Sequence, residues 1–278
     1  MAKTIVAGLD IGTATVRLVV CETSANGKTP RVLAQVKKES RGLRRGYVIS
    51  FEDALTSVKE VVKEAERQTK LKIKRVILGI GGITLESKIS EGQVAITRAD
   101  LEVSESDVER AVEISEVNLG DFTNRKIIHT FALSFKIDGK KVVGRPLGWK
   151  GQRLEVKTLF IHCLTQHLND LIKVATDAGL VVEDVMASPL AGSIPTLNAT
   201  QKAAGCVLVN IGSQTTSLIT FEDDHPISLQ VFPLGSNDVT NDIALGLRIP
   251  LEEAERMKID STTTLNMKRK LDEIIAAR

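Results

Sequence analysis

One short segment occurs twice in this chain, and the repeat limits what the chain can fold into more than any other feature. Residues 10–20 read DIGTATVRLVV and residues 210–220 read NIGSQTTSLIT. An Ile-Gly pair, a Ser/Thr position, a shared Thr and a shared Leu fall at equal offsets, and each copy follows an aliphatic run. Aliphatic runs bounded by a glycine turn are typical of β-strands. The repeat therefore predicts two strand–turn–strand hairpins related by duplication of a half-domain.

The residue types in the two turns suit the binding of a polyphosphate. Glycine lets backbone N–H groups approach an anion closely, and Ser/Thr hydroxyls add further donors. Asp10 heads the first hairpin and Asn210 heads the second. A carboxylate such as that of Asp10 can hold Mg²⁺, usually through water. One such turn is common in proteins, but two copies predict a pair of hairpins that clamp the phosphates from both sides.

The composition favours an α/β protein and argues against several other classes. Only 3% of the 278 residues are aromatic while 42% are hydrophobic, so the core must be aliphatic, as in parallel or mixed sheets flanked by helices. The net charge of +2, with no basic residues interleaved with aromatics, argues against nucleic-acid binding. The N-terminal apolar run is too short for a signal peptide, and no stretch approaches the roughly 18 apolar residues of a transmembrane helix. These features predict a cytoplasmic protein.

The pattern of predicted elements divides the chain into four segments. Residues 1–82 carry three strands, a helix and a further strand, and form the first half. In residues 83–164 the predicted elements change to strand-like segments around one helix, which indicates a small inserted α+β subdomain. Residues 165–197 return to the first half and connect it onward, and residues 198–278 form an incomplete second half.

Several separate passages resemble the FtsA cell-division family of the actin, Hsp70 and sugar-kinase superfamily. They include GLDIGTATVRLVV, SRGLRRGYVISFEDA, IIHTFALSFKIDGKKVVGRPLGWKGQRLEV, VVEDVMASPLAGSIPTL and LGSNDVTNDIALGLRIPLEEAERMK. The resemblance runs from about Thr4 to Lys258. It implies an actin-like (ribonuclease-H-like) duplicated fold with mixed five-stranded-type sheets and the small inserted subdomain.

The same resemblance implies ATP and Mg²⁺ as cofactors and assigns them to particular residues. The phosphate and magnesium candidates are Asp10 (the metal residue, through water), Gly12, Thr13, Ala14, Thr15, Gly212, Ser213, Gln214, Thr215 and Thr216. The candidates that border the rest of the nucleotide are Gly235, Asn237, Glu255 and Lys258. Glu255 and Lys258 lie three apart on a predicted helix and share one face, so a solvated surface ion pair is the alternative interpretation.

The second hairpin departs from the family pattern. The family generally carries an aspartate, two further glycines and a second acid where this chain has Asn210, Ser213, Gln214 and Ser217. An amide can hydrogen-bond, but it cannot carry the charge that attracts Mg²⁺ or accept a proton from water. We therefore expect slow or absent ATP hydrolysis, so that the protein is at most a slow ATPase and ATP is mainly a structural ligand.

A second departure concerns the end of the chain. The family's late adenosine motif, linker and membrane-binding amphipathic helix are not found, and a join near Asp260–Ser261 is expected to skip most of the outer subdomain. The resemblance implies a filament-forming protein that tethers FtsZ polymers to the inner membrane at the septum. For this chain the FtsZ contact is in doubt, and membrane binding would need the missing helix. A PilM-type pilus adaptor and a small-molecule kinase of the same superfamily are the alternatives, although Asn210 argues against the kinase.

Overall fold

The computed structural model describes residues 3–24 and 30–260, which form three sheets of three or more strands, one short β-ribbon and seven helices. In chain order the strands are β1 (Lys3–Ile11), β2 (Thr15–Ser24), β3 (Arg31–Glu39), β4 (Leu43–Arg44), β5 (Tyr47–Val48), β6 (Arg75–Ile80), β7 (Glu86–Ala95), β8 (Arg125–Ile137), β9 (Lys140–Val142), β10 (Arg153–Leu164), β11 (Val181–Ala187), β12 (Cys206–Ile211), β13 (Thr216–Glu222) and β14 (His225–Phe232). The helices are α1 (Phe51–Thr69), α2 (Glu105–Val117), α3 (Thr165–Asp177), α4 (Ser188–Thr196), α5 (Ala199–Ala204), α6 (Ser236–Leu247) and α7 (Leu251–Ile259).

The first half is built on a mixed five-stranded sheet in the order β11-β6-β1-β2-β3. Strand β1 pairs antiparallel with β2 and parallel with β6, where Leu9 lies opposite Leu78. Helix α1 is the helix expected in residues 1–82; its apolar residues recur at helical spacing, and it buries this stripe against the sheet. The stripe consists of Ala54, Val58, Val61, Val62 and Ala65. The core is aliphatic, as the scarcity of aromatics predicts.

Residues 86–164 form a second, antiparallel sheet in the order β7-β10-β8-β9, against which α2 packs. The Ser104 side chain accepts the backbone N–H of Asp107, and the Asp107 carboxylate accepts the backbone N–H of Ser104, so α2 begins with a capping box. Glycine is required at position 92 in β7, because a Cβ there would lie 2.0 Å from the carbonyl oxygen of Ala111. This close approach lets α2 lie directly on the sheet.

The second half contains a three-stranded antiparallel sheet in the order β12-β13-β14. The expectation of five-stranded-type sheets therefore applies to the first half only, because within residues 3–24 and 30–260 no strand pairs with the second edge of β12. Val207, Val209 and Ile211 on β12 are exposed accordingly. The expected join near Asp260–Ser261 and the residues after it lie outside the described residues.

Helices α4 and α5 are additional to the sequence-based expectations. The segment that forms α4 contains Pro189 and Pro195, which argue against a helix from local sequence. Pro189 lies in the first turn, where a missing N–H costs little, and Ser193 is fully buried. Within the described ranges, no helix combines the length and the apolar character needed to cross a bilayer.

Candidate functional site

The turns of the two repeated hairpins have the same geometry. The N–H of Gly12 donates to the carbonyl oxygen of Thr15 at 3.1 Å, and the N–H of Gly212 donates to the carbonyl oxygen of Thr215 at 2.8 Å. The strand pairs beside the turns are also equivalent: Asp10↔Arg17 with Asn210↔Ser217, and Ile11↔Val16 with Ile211↔Thr216. The similarity read from the sequence is thus a similarity of backbone hydrogen bonding.

Both hairpins contact the turn between β4 and β5. The backbone N–H of Gly46 donates to Thr13 Oγ1 at 3.0 Å, and the backbone N–H of Arg45 donates to Gln214 Oε1 at 2.9 Å. Arg45 and Gly46 are consecutive residues, so the two hairpin turns contact neighbouring peptide groups of the β4–β5 turn. The hairpins therefore face each other, as the sequence predicts.

Asp10 and Asn210, at equivalent positions of the repeat, line one cavity of about 490 Å³. The Ser188 hydroxyl donates to Asp10 Oδ1 at 3.1 Å, and an Arg17 guanidinium nitrogen lies 3.8 Å from Oδ2. Burial raises the pKa of Asp10, and the Ser188 hydrogen bond and the Arg17 charge oppose this increase. A Cβ on Gly79 would lie 3.2 Å from Asp10 Oδ1, so the small residue leaves room for the carboxylate.

The donor set in this cavity fits magnesium. The Asp10 carboxylate, the Ser188 hydroxyl and the Asn210 amide are hard oxygen donors of the kind that Mg²⁺ prefers. A divalent ion would also favour the charged form of Asp10, which burial disfavours. Arg17 competes for the same carboxylate, although the two groups are 3.8 Å apart, the Arg17 side chain is exposed and the Asp10 side chain is only partly buried.

The second hairpin is anchored on the N-terminus of α6. The carbonyl oxygens of Gly212 and Ser213 accept the N–H groups of Ser236 and Asn237, each at 2.8 Å. Glycine is required at position 235, because a Cβ there would lie 2.5 Å from the carbonyl oxygen of Ser213. Gly235 and Asn237, predicted to border the nucleotide, are therefore in direct contact with the turn.

Two predicted contact residues are engaged with the protein itself. The Thr216 hydroxyl donates to the carbonyl oxygen of Leu234 at 2.7 Å. Ala14 accepts the N–H of Ser40 through its carbonyl oxygen at 3.0 Å. Both residues hold their hairpins in place, and their assignment as nucleotide contacts stays a prediction.

Glu255 and Lys258 form a cross-link between α6 and α7. Lys258 Nζ donates to Glu255 Oε2 at 2.6 Å, to Thr240 Oγ1 at 2.8 Å and to the carbonyl oxygen of Ser236 at 3.1 Å. The Lys258 hydrogen bond is the largest factor that lowers the pKa of Glu255. Since the ammonium group has three donors and all are used, Lys258 positions Glu255.

A second cavity, of about 810 Å³, lies between α6, α7 and the β4–β5 turn. Three predicted residues line it: Gln214, Asn237 and Glu255. The lining residues that were not predicted are Arg44, Arg45, Pro233, Asp238, Thr240, Asn241, Leu251, Glu252 and Arg256. Arg44 and Arg45 belong to the SRGLRRG segment. Basic residues next to a glycine are the sequence signal that points to this side of the cavity.

Comparisons with known proteins agree with this architecture. The family model "SHS2 domain inserted in FTSA" matches residues 82–162, and the family model "Cell division protein FtsA" matches residues 207–277. The cell division protein FtsA of Pseudomonas aeruginosa is 34% identical over 254 residues, covering 91% of this chain and 60% of that protein. The FtsA of Borreliella burgdorferi is 31% identical over 259 residues, covering 93% of this chain and 62% of that protein. The chain thus spans about 60% of the length of these relatives.

Solved structures confirm the fold class. The PilM-PilN type IV pilus biogenesis complex aligns with a TM-score of 0.65 at 18% identity, covering 97% of this chain and 74% of that chain. The ethanolamine utilization protein EutJ of Carboxydothermus hydrogenoformans aligns with a TM-score of 0.55 at 18% identity, covering 99% and 68%. At this identity the likeness is one of fold alone, and the fold is the actin-like α/β fold. Together with the sequence matches along nearly the whole chain, it follows that this chain belongs to the FtsA cell-division protein family.

Proposed function

We propose that this chain is an actin-like cell-division protein that binds ATP with Mg²⁺ between its two hairpins. The observation that carries the proposal is the convergence of Thr13 and Gln214 on the neighbouring N–H groups of Gly46 and Arg45. Two turns that are rich in glycine and hydroxyl groups and that contact neighbouring peptide groups can bind one polyphosphate from both sides. The relatives' name supplies the cellular process, cell division.

We assign roles within the cleft as follows. Asp10 holds Mg²⁺ through water, and the two turns contact the phosphates. Glu255 borders the ribose and adenine in the 810 Å³ cavity, and Lys258 holds Glu255 in place. The phosphate-contacting residues are Gly12, Thr13, Ala14, Thr15, Gly212, Ser213, Gln214, Thr215 and Thr216, bordered by Gly235 and Asn237.

We further propose that hydrolysis is slow or absent. Among the described residues, Asp10 is the only acidic one that lines the 490 Å³ cavity, and the equivalent position of the second hairpin is Asn210. An amide cannot take a proton from an attacking water, so the described lining of this cavity offers no second carboxylate to serve as general base. The bound nucleotide then acts as a structural ligand that joins the halves.

The domain organisation and cellular role belong to the same proposal. Residues 1–82, 165–197 and 198–278 form the actin-like body, and residues 83–164 form the inserted subdomain, in agreement with the separate antiparallel sheet. The body assembles into filaments and tethers FtsZ to the inner membrane at the division site. The chain spans about 60% of the length of these relatives, so the FtsZ contact is a separate part of the proposal with a test of its own.

Calorimetric titration with ATP, with and without Mg²⁺, tests nucleotide binding, and phosphate release measured in the same samples tests hydrolysis. Gly212→Val serves as the matched variant, because a Cβ at this position would lie 2.9 Å from the carbonyl oxygen of Thr215. We expect the wild-type chain to bind ATP, the variant to lose binding, and phosphate release to stay near background. Equal binding by the variant, or turnover at ordinary ATPase rates, would contradict the corresponding part of the proposal. Co-sedimentation with FtsZ and lipid vesicles tests the tethering role.

A further inference from the structure

The turn between β4 and β5 contacts both hairpins but is part of neither. Arg45 and Gly46 have φ values of 52° and 90°, so their backbones occupy the left-handed region. Their consecutive N–H groups are hydrogen-bonded to Gln214 and Thr13, respectively. Because both N–H groups are donated to the hairpins, the groups of this segment that can contact an anion are its side chains.

This turn is held from behind by buried groups. The Gly46 carbonyl oxygen lies 3.0 Å from His167 Nε2, which must carry the proton because a carbonyl can only accept. His167 Nδ1 lies 2.6 Å from the Thr84 hydroxyl, which donates to it in the neutral ring. A Cβ on Gly46 would lie 2.5 Å from the Cα of Gly82, so the two backbones touch. The position of the turn is therefore determined by the core beneath it.

The side chains beside this turn give one wall of the 810 Å³ cavity a positive charge. Arg44 and Arg45 are exposed and line the cavity next to Gln214. The α6 and α7 walls contribute the carboxylates Asp238, Glu252 and Glu255, together with Arg256. In a nucleotide bound across this cavity, the neutral ribose and base would lie toward the carboxylates of α6 and α7, and the phosphate tail toward the arginine wall, whose guanidinium groups match phosphate oxygens in geometry.

We propose that the β4–β5 turn is a third phosphate-binding element, in which Arg44 and Arg45 recognise the terminal phosphates of the nucleotide. His167 is a positioning residue, because it holds the Gly46 carbonyl oxygen and faces the core. This inference rests on the proposed nucleotide binding and adds the residues that distinguish nucleoside triphosphates from monophosphates. The class of ligand recognised by this wall is the di- or triphosphate tail, whatever the base.

The test compares the affinities of ATP and AMP, both with Mg²⁺, for the wild-type chain and for Arg44→Gln, Arg45→Gln and the double variant. Both residues are exposed, so the substitutions leave the core unchanged. Arg41→Gln is the matched control, since Arg41 lies in the same segment, is exposed and does not line the cavity. We expect the double variant to bind ATP about tenfold or more weakly, as for the loss of a charged hydrogen bond, and AMP within about threefold of wild type.

The outcomes separate this inference from the proposed function. If the wild-type chain binds neither ATP nor AMP, both are overturned. If it binds ATP and the double variant keeps the wild-type ratio of ATP to AMP affinity, only the third phosphate-binding element is overturned. The inference would also be overturned if the double variant lost equal affinity for ATP and AMP, because the effect would then not involve the terminal phosphates. The same holds if Arg41→Gln lost as much ATP affinity as the double variant, because net charge alone would then explain the loss.

Discussion

The Asp10 carboxyl group lies where ionisation is costly for the ligand-free protein. Burial raises its pKa above the ordinary 3.8, and Ser188 and Arg17 offset only part of the increase. Between pH 3.8 and the raised pKa the folded state binds more protons than the unfolded state, so this group's contribution to stability falls as the pH rises. A bound cation would reverse the preference, because it favours the carboxylate.

Asp10→Asn should therefore make the ligand-free chain more stable at pH 7.5, with a difference that disappears well below pH 3.8, where the wild-type carboxyl is protonated in both states. The same substitution should abolish the strengthening of ATP binding by Mg²⁺. Urea unfolding at the two pH values and titration with Mg²⁺ or a chelator measure the two effects. Asp242→Asn, an exposed aspartate on α6, is the control. A variant less stable than wild type at pH 7.5 would contradict the argument.

Gly235 and Gly246 allow a steric effect to be separated from a helix-propensity effect. A Cβ on Gly235 would overlap the Ser213–Gln214 backbone, whereas a Cβ on Gly246 would meet nothing within 4 Å. We expect Gly235→Ala to destabilise the chain by about 1–3 kcal/mol, as overpacking does, and to weaken nucleotide binding. Gly246→Ala should stabilise it by up to about 1 kcal/mol, because alanine favours a helix. Equal effects in chemical denaturation would show that the hairpin is not anchored at Gly235.

Among the secondary-structure elements, β10 carries a buried histidine, His162, whose pKa makes the stability of the inserted subdomain sensitive to acid. His162 is buried between β7 and β8, and burial, helped by the charge of Arg125, lowers its pKa to about 4 from 6.5. The unfolded chain therefore binds more protons than the folded chain between these pH values. Stability is lost as the pH falls through this window, and His129 and His167, whose pKa values are also lowered, add to the loss.

His162→Gln should reduce this dependence on pH. The single tryptophan, Trp149, lies in the inserted subdomain, so its fluorescence reports on this part of the chain. We expect the wild-type stability to decrease from pH 6.5 to pH 4 with a steeper slope than that of the variant. If the two slopes in urea unfolding are the same, His162 is not the group responsible.

At the scale of the whole chain, the second half is hydrogen-bonded both to the first half and to the inserted subdomain. Besides the β4–β5 turn, Ser87 in β7 exchanges hydrogen bonds with the backbone of Leu229 in β14, at 2.7 Å from the N–H and 3.1 Å to the carbonyl oxygen. A ligand that touches both hairpins would add a further connection. Binding to the folded state alone stabilises it by an amount set by ligand concentration.

ATP with Mg²⁺ at about 100 times its Kd should therefore stabilise the folded chain by about 2.7 kcal/mol and raise its Tm by roughly 5 °C. Because both halves contact the ligand, we expect the transition to move as one. Differential scanning calorimetry of the wild-type chain and Gly212→Val measures the shift. A rise confined to one of two separate transitions would mean that a single half binds the ligand.

Local patterns predict some elements well and others not at all. The helix over Phe51–Thr69 follows from apolar spacing, because an amphipathic stripe is a property of the segment itself. Helix α4 was not predicted, because its two prolines oppose a helix locally while packing of Leu190 against the core favours one in the folded chain. The second sheet has three strands among the described residues because strand number depends on partners, which no local pattern specifies.

The sequence alone determined that two equivalent hairpins exist, since the repeat headed by Asp10 and Asn210 is a property of residue order. The groups that lie around and between them follow from the folding of distant segments onto each other. The Arg45–Gln214 hydrogen bond joins residues 169 positions apart. Lys258 on α7 donates its hydrogen bonds within α7 and to α6. Residue spacing encodes periodicity and turns because these act over a few residues, whereas contacts between distant segments arise only when burial of the whole core brings those segments together.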